Sequence, residues 1–303
     1  GRVAIVTGAG NGLGRSHALG LAGRGARVVV NDLGVKTDGS GGSASAADRV
    51  VQEIIALGGE AMASGASVTD FEAVEAMVGA AIARWGRVDI LVNNAGTLRD
   101  KTFAKMELAD FRAVLDVHLM GAVNCCKAVW EPMRTQNYGR IVMTTSSSGL
   151  YGNFGQANYG AAKIALVGLM NVLHQEGAKY DIRVNTISPT AATRMTAELM
   201  PKPMLALLQP EAVTPAVLYL VSHEAPSRVI LGAGAGSYAR VTVEETAGVY
   251  LPEAQRTPED IRARFKEISA PEGARALENA FQQTDKYVHQ AAAAKGIDLT
   301  DKP

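Results

Sequence analysis

Short runs of β-branched and aliphatic residues alternate with longer stretches of helical periodicity from residue 3 to about residue 232. The runs are Val3–Thr7, Arg27–Asn31, Glu60–Ser64, Val88–Asn93, Arg140–Thr145, Ile182–Ile187 and Val229–Leu231. Between them, Leu13–Arg24, Ser45–Leu57, Phe71–Trp85, Leu108–Arg134, Ala157–Tyr180 and Glu211–Val221 repeat apolar residues at helical spacing. Strands that are apolar throughout, instead of alternating, are covered on both faces, and the intervening helices supply the cover. The pattern predicts an α/β fold, a doubly wound parallel sheet of about seven strands.

Two segments break the rhythm. From Leu33 to Ala44 the chain is rich in Gly and Ser, which predicts a loop longer than an ordinary strand-to-helix turn. After about Leu251 it becomes charged and Ala-rich, with helices predicted over Pro258–Ile268 and Glu272–Lys295. The expected organisation is a dinucleotide-binding catalytic domain over 1–250 and a helical C-terminal extension over 251–303. Ile261, Phe265 and Ile268, then Leu277, Phe281 and Val288, form apolar stripes. Such stripes need a surface, so the extension is expected to pack on the main domain or on a partner subunit.

Composition narrows the function classes. Lys plus Arg and Asp plus Glu number 30 each in 303 residues, for a formal net charge of zero. That balance gives no support to a nucleic-acid or anionic-membrane partner. No apolar run approaches the ~20 residues that span a bilayer. The first residues, Arg2 to Thr7, already read as a strand instead of a signal peptide. The two cysteines, Cys125 and Cys126, are adjacent in a helix, too divergent in direction for an ordinary disulfide. A soluble cytoplasmic protein is expected.

Chemistry enters at the strand ends. The first strand closes in Thr7-Gly8-Ala9-Gly10-Asn11-Gly12-Leu13-Gly14, and a helix follows at once. Glycines at 8, 12 and 14 let a backbone approach a pyrophosphate, whose charge suits the free N–H groups of a helix start. Asp32 ends the second strand, where a carboxylate accepts bonds from ribose hydroxyls and repels a 2′-phosphate. With Asn11 and Leu33 not basic, NAD is favoured over NADP. Asn94, Ala95 and Gly96 end the fourth strand. Tyr159 and Lys163 share a helix face one turn apart, and Ser146 stands thirteen residues before the tyrosine. A neighbouring ammonium is expected to lower the phenol's pKa, so that Tyr159 exchanges a proton while Ser146 holds a substrate oxygen.

These motifs together resemble the short-chain dehydrogenase/reductase family over about residues 2–235. The resemblance implies a Rossmann-type fold, NAD as cofactor, no metal, and a homodimer or homotetramer. It implies that Ser146, Tyr159 and Lys163 are catalytic, with Lys163 and Tyr159 also meeting the cofactor. It places Gly8, Asn11, Gly12, Leu13, Gly14, Asp32, Val68, Asn94, Ala95, Gly96, Pro189 and Thr193 along the cofactor. The family's usual asparagine in Asn-x-x-Gly is replaced by His118 in His118-Leu119-Met120-Gly121. His118 is therefore read either as a proton relay or as a helix-packing residue. The family's adenine-side aspartate is also missing from Gly65-Ala66-Ser67-Val68.

The phrases Gln136-Asn137-Tyr138-Gly139-Arg140-Ile141 and Tyr151-Gly152-Asn153-Phe154-Gly155-Gln156-Ala157-Asn158-Tyr159 are more specific. They are similar to the (3R)-hydroxyacyl-CoA dehydrogenase domain of peroxisomal multifunctional enzyme type 2 and its bacterial stand-alone relatives. That likeness implies a fatty-acyl or steroid side-chain CoA thioester as substrate. Met195, Met200 and Met204 would cover the acyl chain, and Lys101, Lys105, Arg194 and Lys202 would meet CoA phosphates. A generic NAD-linked secondary-alcohol dehydrogenase, a 3-oxoacyl reductase and a non-catalytic nucleotide-binding scaffold are the competing readings.

Overall fold

Five consecutive buried residues in Val3–Thr7 (β1) and four in Arg27–Asn31 (β2) mark strands with no solvent face. The computed structural model describes residues 1–34, 45–192 and 201–299. Between and after those strands come α1 (Gly12–Ala22), α2 (Ser45–Ala56), β3 (Ala61–Ser64), α3 (Phe71–Trp85) and β4 (Ile90–Asn93). Then follow α4 (Leu108–Leu115), a π-helical turn (Asp116–Met120) and α5 (Gly121–Thr135). Next are β5 (Gly139–Thr144), α6 (Ser147–Tyr151), α7 (Ala157–Gly177), β6 (Ile182–Pro189), α8 (Lys202–Leu207) and α9 (Thr214–Leu220). The list ends with β7 (Ile230–Gly234), β8 (Ser237–Val241), α10 (Pro258–Ile268) and α11 (Ala280–Lys295).

The strands form one sheet in the order β3-β2-β1-β4-β5-β6-β7-β8. From β3 to β7 every pairing is parallel, with β1 flanked by β2 and β4. The chain reverses its direction of travel across the sheet between β1 and β4. Loops leaving those two carboxyl ends part company, and the crevice between them is where such sheets bind ligands. Fully buried aliphatics of β1, β2, β4, α1, α2 and α9, among them Val6, Val28, Val92, Leu21, Ile54 and Leu220, form a core against the sheet.

Two predicted features change. Among the described residues the sheet has eight strands, one more than the seven runs of the sequence, the last two, β7 and β8, joined by Ala235-Gly236, both at positive φ. A two-residue turn of that kind makes an antiparallel hairpin. The stretch predicted as one helix over Leu108–Arg134 is interrupted by the π turn, which carries His118.

The chain divides into two compact units, Gly1–Arg240 and Val241–Pro303. Within the second, Glu245 and Arg275 make an antiparallel bridge, and the Lys286 ammonium donates to Glu245 at 2.6 Å and to the Thr246 carbonyl at 2.5 Å. Thr257 and Asn279 cap α10 and α11 by accepting from the Asp260 and Gln282 N–H groups.

Burial of His17 in α1, with Nδ1 2.9 Å from the Thr214 hydroxyl, lowers its pKa to about 3. The unfolded chain protonates this imidazole near pH 6.5, while the folded chain keeps it neutral. Its contribution to stability is complete above pH 6.5 and is lost as pH falls toward 3, at up to ~1.4 kcal/mol per pH unit. His17→Asn, which does not titrate, is expected to flatten the decline of unfolding free energy between pH 6.5 and 4. Urea titrations at those pH values test this, and parallel declines in parent and variant would contradict it.

Candidate active site

The carboxyl ends of β1 and β4 are stitched together by side chains. The Thr7 hydroxyl oxygen accepts the N–H groups of Asn94 and Ala95 at 3.0 Å each. The Asn94 amide donates to the carbonyls of Thr7 and Gly8, both at 3.0 Å. Asn94 therefore builds the cradle floor instead of reaching outward. At Gly8 the backbone takes φ +62°, and a Cβ would sit 2.8 Å from the Ala95 Cα. A Cβ at Gly14 would overlap the Gly8 carbonyl. Asn11 makes no side-chain cap on α1, so the N–H groups at Gly12, Leu13 and Gly14 begin the helix without a capping oxygen. A close backbone, no side chains in the way and an uncapped helix start fit a pyrophosphate. Beside it, Asp32 accepts from the Gly10 and Gly34 N–H groups at 2.7 Å each.

Ser146 follows β5 directly, and its hydroxyl accepts the Ser148 N–H at 3.2 Å to cap α6. The Ser146 hydroxyl is close enough to that of Tyr159 to favour its ionised form. The Lys163 ammonium lies 5.5 Å from the Tyr159 ring centroid and donates to the Thr144 carbonyl at 2.6 Å. One turn of α7 thus sets tyrosine and lysine side by side against the end of β5, as their spacing implies. Asn158, fully buried, anchors that turn by donating to the Arg99 carbonyl at 3.0 Å. The preceding loop is laced to the same wall, with Gln156 donating to Asp100 at 2.6 Å and the Lys101 N–H to the Gly155 carbonyl at 3.0 Å.

The expected lowering of the Tyr159 pKa is not what this chain shows. Burial, opposed by the Ser146 hydroxyl, pushes the phenol up, with the Asp100 charge adding to the rise. The lysine cannot offset this alone, because burial brings its own pKa to about 7. A phenolate forming beside it raises the lysine's pKa in turn, so the two groups titrate as a pair. Bonds to bound ligands have to supply the remaining stabilisation of a phenolate.

His118 meets the edge of the Tyr159 ring, with centroids 5.1 Å apart and planes at 86°. Its Nε2 lies 2.8 Å from the Thr97 carbonyl, and its Nδ1 has no partner among the described residues. Burial first, and the Lys163 charge second, hold its pKa well below the usual histidine range, so the ring is neutral. A cavity of about 10 Å³ is lined by Thr7, Asn93, Val117, His118, Thr144 and Lys163, among others. The ring therefore packs against the tyrosine and faces polar company. Both readings of His118 remain compatible with this geometry.

Val68 is buried on the same cavity and accepts the Asn124 amide at 2.9 Å on its carbonyl. Gly96 lies against the His118 ring, and Pro189 ends β6. Thr193, Arg194, Met195 and Met200 lie outside the described residues. Lys101 is paired with Asp110 at 3.2 Å, while Lys105 and Lys202 are exposed. Thr7, Thr144 and Thr97 are site residues that the sequence reading passed over. Thr7 carried a signal, a hydroxyl at the end of the first strand. The other two act through their carbonyls, which any residue type offers.

The phrase Gln136–Ile141 turns out to be structural. Arg140 is fully buried and donates to Asp181 at 3.0 Å and to the carbonyls of Ser222 and Asp181. Gln136 donates to the Val88 carbonyl at 2.5 Å.

A family model described as short chain dehydrogenase matches residues 2–203. The chain belongs to the short-chain dehydrogenase family. As such it is an oxidoreductase that works with a nicotinamide dinucleotide. This short-chain dehydrogenase is 48% identical over 270 residues to peroxisomal multifunctional enzyme A of Dictyostelium discoideum, across 89% of its own length and 60% of the relative's. The solved structure of full-length peroxisomal multifunctional enzyme type 2 from Drosophila melanogaster superposes with TM-score 0.79 at 35% identity. That match covers 97% of this chain and 50% of the other. A 7α-hydroxysteroid dehydrogenase complexed with NADH and 7-oxo glycochenodeoxycholic acid superposes with TM-score 0.70 at 32% identity, over 78% of this chain and 94% of that one. The chain thus spans between under a third and 60% of the multifunctional relatives' length, while the steroid dehydrogenase is of similar length. Among the described residues no helix is long and apolar enough to cross a membrane.

Proposed function

We propose that this enzyme oxidises the 3-hydroxyl of a (3R)-hydroxyacyl-CoA thioester to the 3-ketone, with NAD as acceptor and Tyr159 as acid/base. The observation that carries the reading is the convergence of Ser146, Tyr159 and Lys163 beside the Gly8–Gly14 cradle. Asp32, unaccompanied by a neighbouring cation at Leu33, supports NAD. Likeness over 89% of the chain to a peroxisomal multifunctional enzyme supports the acyl-CoA class. So does the exposed apolar surface of Tyr151, Phe154, Met204 and Leu207, at the end of α6, on the loop before Tyr159 and in α8.

When bound, the nicotinamide ring supplies the hydride acceptor. The protein's own part is proton handling and orientation. Ser146 donates to the substrate oxygen and keeps it against Tyr159. The phenolate oxygen of Tyr159 removes the hydroxyl proton as the C3–H bond breaks, and its own O–H bond forms. Lys163, fixed through the Thr144 carbonyl, stabilises the phenolate by charge and holds the nicotinamide ribose. Oxidation releases one proton overall, which leaves Tyr159 for solvent before the next turnover.

The readings that go with this are a cytoplasmic enzyme, a homodimer or homotetramer, and an extension over 251–303 docked on the catalytic domain or a partner subunit. The free, buried thiols of Cys125 and Cys126 suit a reducing compartment. The exposure of Phe265 and Phe281 suits a partner subunit. A 3-oxoacyl reductase working in the opposite direction uses the same three residues.

The test compares kcat/KM for a 3-hydroxyacyl-CoA with that for the same hydroxy acid lacking CoA, each with NAD and with NADP. Remote contacts to CoA should help position C3, so the thioester is expected to be favoured by at least about a hundredfold. Equal activity without CoA would return the enzyme to the secondary-alcohol reading.

A further inference from the structure

Gly10 belongs to the glycine-rich loop but lies toward Asp32, away from the Gly8–Ala95 contact. Its N–H donates to Asp32 Oδ2 at 2.7 Å. A Cβ placed on Gly10 would stand 2.8 Å from both Cγ and Oδ2 of Asp32, and 2.7 Å from the Ala46 Cβ. From the other side the Gly34 N–H donates to Oδ1 at 2.7 Å, closing a turn in which Gly34 takes φ +71°. Each carboxylate oxygen is thereby fixed by one backbone donor. Each keeps a lone pair free, because an ionised carboxylate offers about four acceptor sites.

We infer that Gly10 and Gly34 are positioning residues for cofactor discrimination: they clamp the Asp32 carboxylate so that its free lone pairs meet the adenosine ribose hydroxyls. The inference rests on the NAD reading above. Asp32 carries the charge that separates a 2′-hydroxyl from a 2′-phosphate. The clamp sets where that charge stands, and two adjacent hydroxyls reward a carboxylate held in one orientation more than a mobile one. Glycine at position 10 is then required by the carboxylate behind it.

Binding of NADH and NADPH, followed by calorimetry or by quenching of protein fluorescence, separates the possibilities without turnover. The chains compared are the parent, Asp32→Ala, Gly10→Ala, Gly10→Ala with Ala46→Gly, and Gly10→Ala with Asp32→Ala. The Ala46→Gly change removes the second clash and leaves only the one with Asp32. Gly10→Ala is expected to weaken NADH about tenfold more than NADPH, the weight of one charged hydrogen bond. The ratio of dissociation constants should move toward that of Asp32→Ala, with or without Ala46→Gly. In the Asp32→Ala background, adding Gly10→Ala should leave the ratio where it is. Gly34→Ala, loosening the other oxygen, should shift it in the same direction, provided thermal melting shows a folded chain.

Equal weakening of both coenzymes by Gly10→Ala would overturn the clamp, because it would mean damage to the pyrophosphate loop alone. An undiminished ratio shift in the Asp32→Ala background would overturn it too. A parent that binds NADPH more tightly would instead overturn the NAD reading. The clamp would then still be judged by whether the Gly10 and Asp32 changes are non-additive.

Discussion

Tyr159→Phe is expected to lower kcat for alcohol oxidation by roughly two to four decades. The substitution removes one hydroxyl and keeps the ring. The edge-on contact with His118 at 5.1 Å and the Lys163 ammonium at 5.5 Å need only the ring, so the packing of α7 on the π turn should survive. Ser146 keeps the Ser148 N–H and remains able to hold a substrate oxygen. NADH binding and the melting temperature should therefore stay near the parent values while turnover falls. Steady-state kinetics beside a coenzyme titration check both halves. A near-parent kcat would remove Tyr159 from the chemistry. His118→Ala should cost less, since water can enter where the ring stood.

Lys163→Met is expected to make the protein more stable and a much poorer enzyme. Burial brings the lysine pKa from 10.5 to about 7. The folded chain therefore resists a charge that the unfolded chain carries freely. This penalty is absent above pH 10.5, grows as pH falls and is complete below about 7. Its upper bound is on the order of 5 kcal/mol. Losing the bond to the Thr144 carbonyl costs ~1–3 kcal/mol in the opposite direction. The desolvation term wins below neutral pH, so the variant should melt higher at pH 6.5, and the gain should shrink toward pH 10. Activity moves the other way. Oxidation needs the phenolate, so parent kcat/KM rises with pH. Without the cation that rise should be displaced upward by about a unit or more. Superimposable pH profiles would contradict the role given to Lys163, and a lower melting temperature would contradict the energetics.

Much of the fold was legible because the sheet is buried on both faces. Val3–Thr7 and Arg27–Asn31 carry unbroken aliphatic runs over 3–6 and 28–30, and their bounds coincide with β1 and β2. Strand β8 was not legible, since Ser237–Val241 lies at the sheet edge with no fully buried residue. Nor was the π turn, because one extra residue per turn over Asp116–Met120 hardly disturbs a helical pattern of apolar positions. The second tail helix was placed too early. Its start waits for the Asn279 cap, beyond a stretch containing Pro271 and Gly273.

At the site, the four-residue spacing of Tyr159 and Lys163 and the glycine loop could be read directly. The partners that fix them could not. The Thr144 and Thr97 carbonyls are backbone groups that no residue type announces. The direction of the Tyr159 shift was missed for a related reason. Spacing reveals a neighbouring ammonium, but only packing reveals how deeply the phenol and that ammonium are both withdrawn from water.

A single comparison of enantiomers tests the (3R)-hydroxyacyl-CoA dehydrogenase activity most directly. Initial rates of NAD reduction should be measured with the R and S enantiomers of one 3-hydroxyacyl-CoA at equal concentration. In the proposed mechanism Ser146 and Tyr159 hold the hydroxyl on one side of C3, so only one enantiomer would present its C3–H to the nicotinamide. The R enantiomer is expected to react at least about a hundredfold faster, the discrimination available to a site that hydrogen-bonds the reacting hydroxyl. Preference for the S enantiomer, or equal rates for the two, would contradict it.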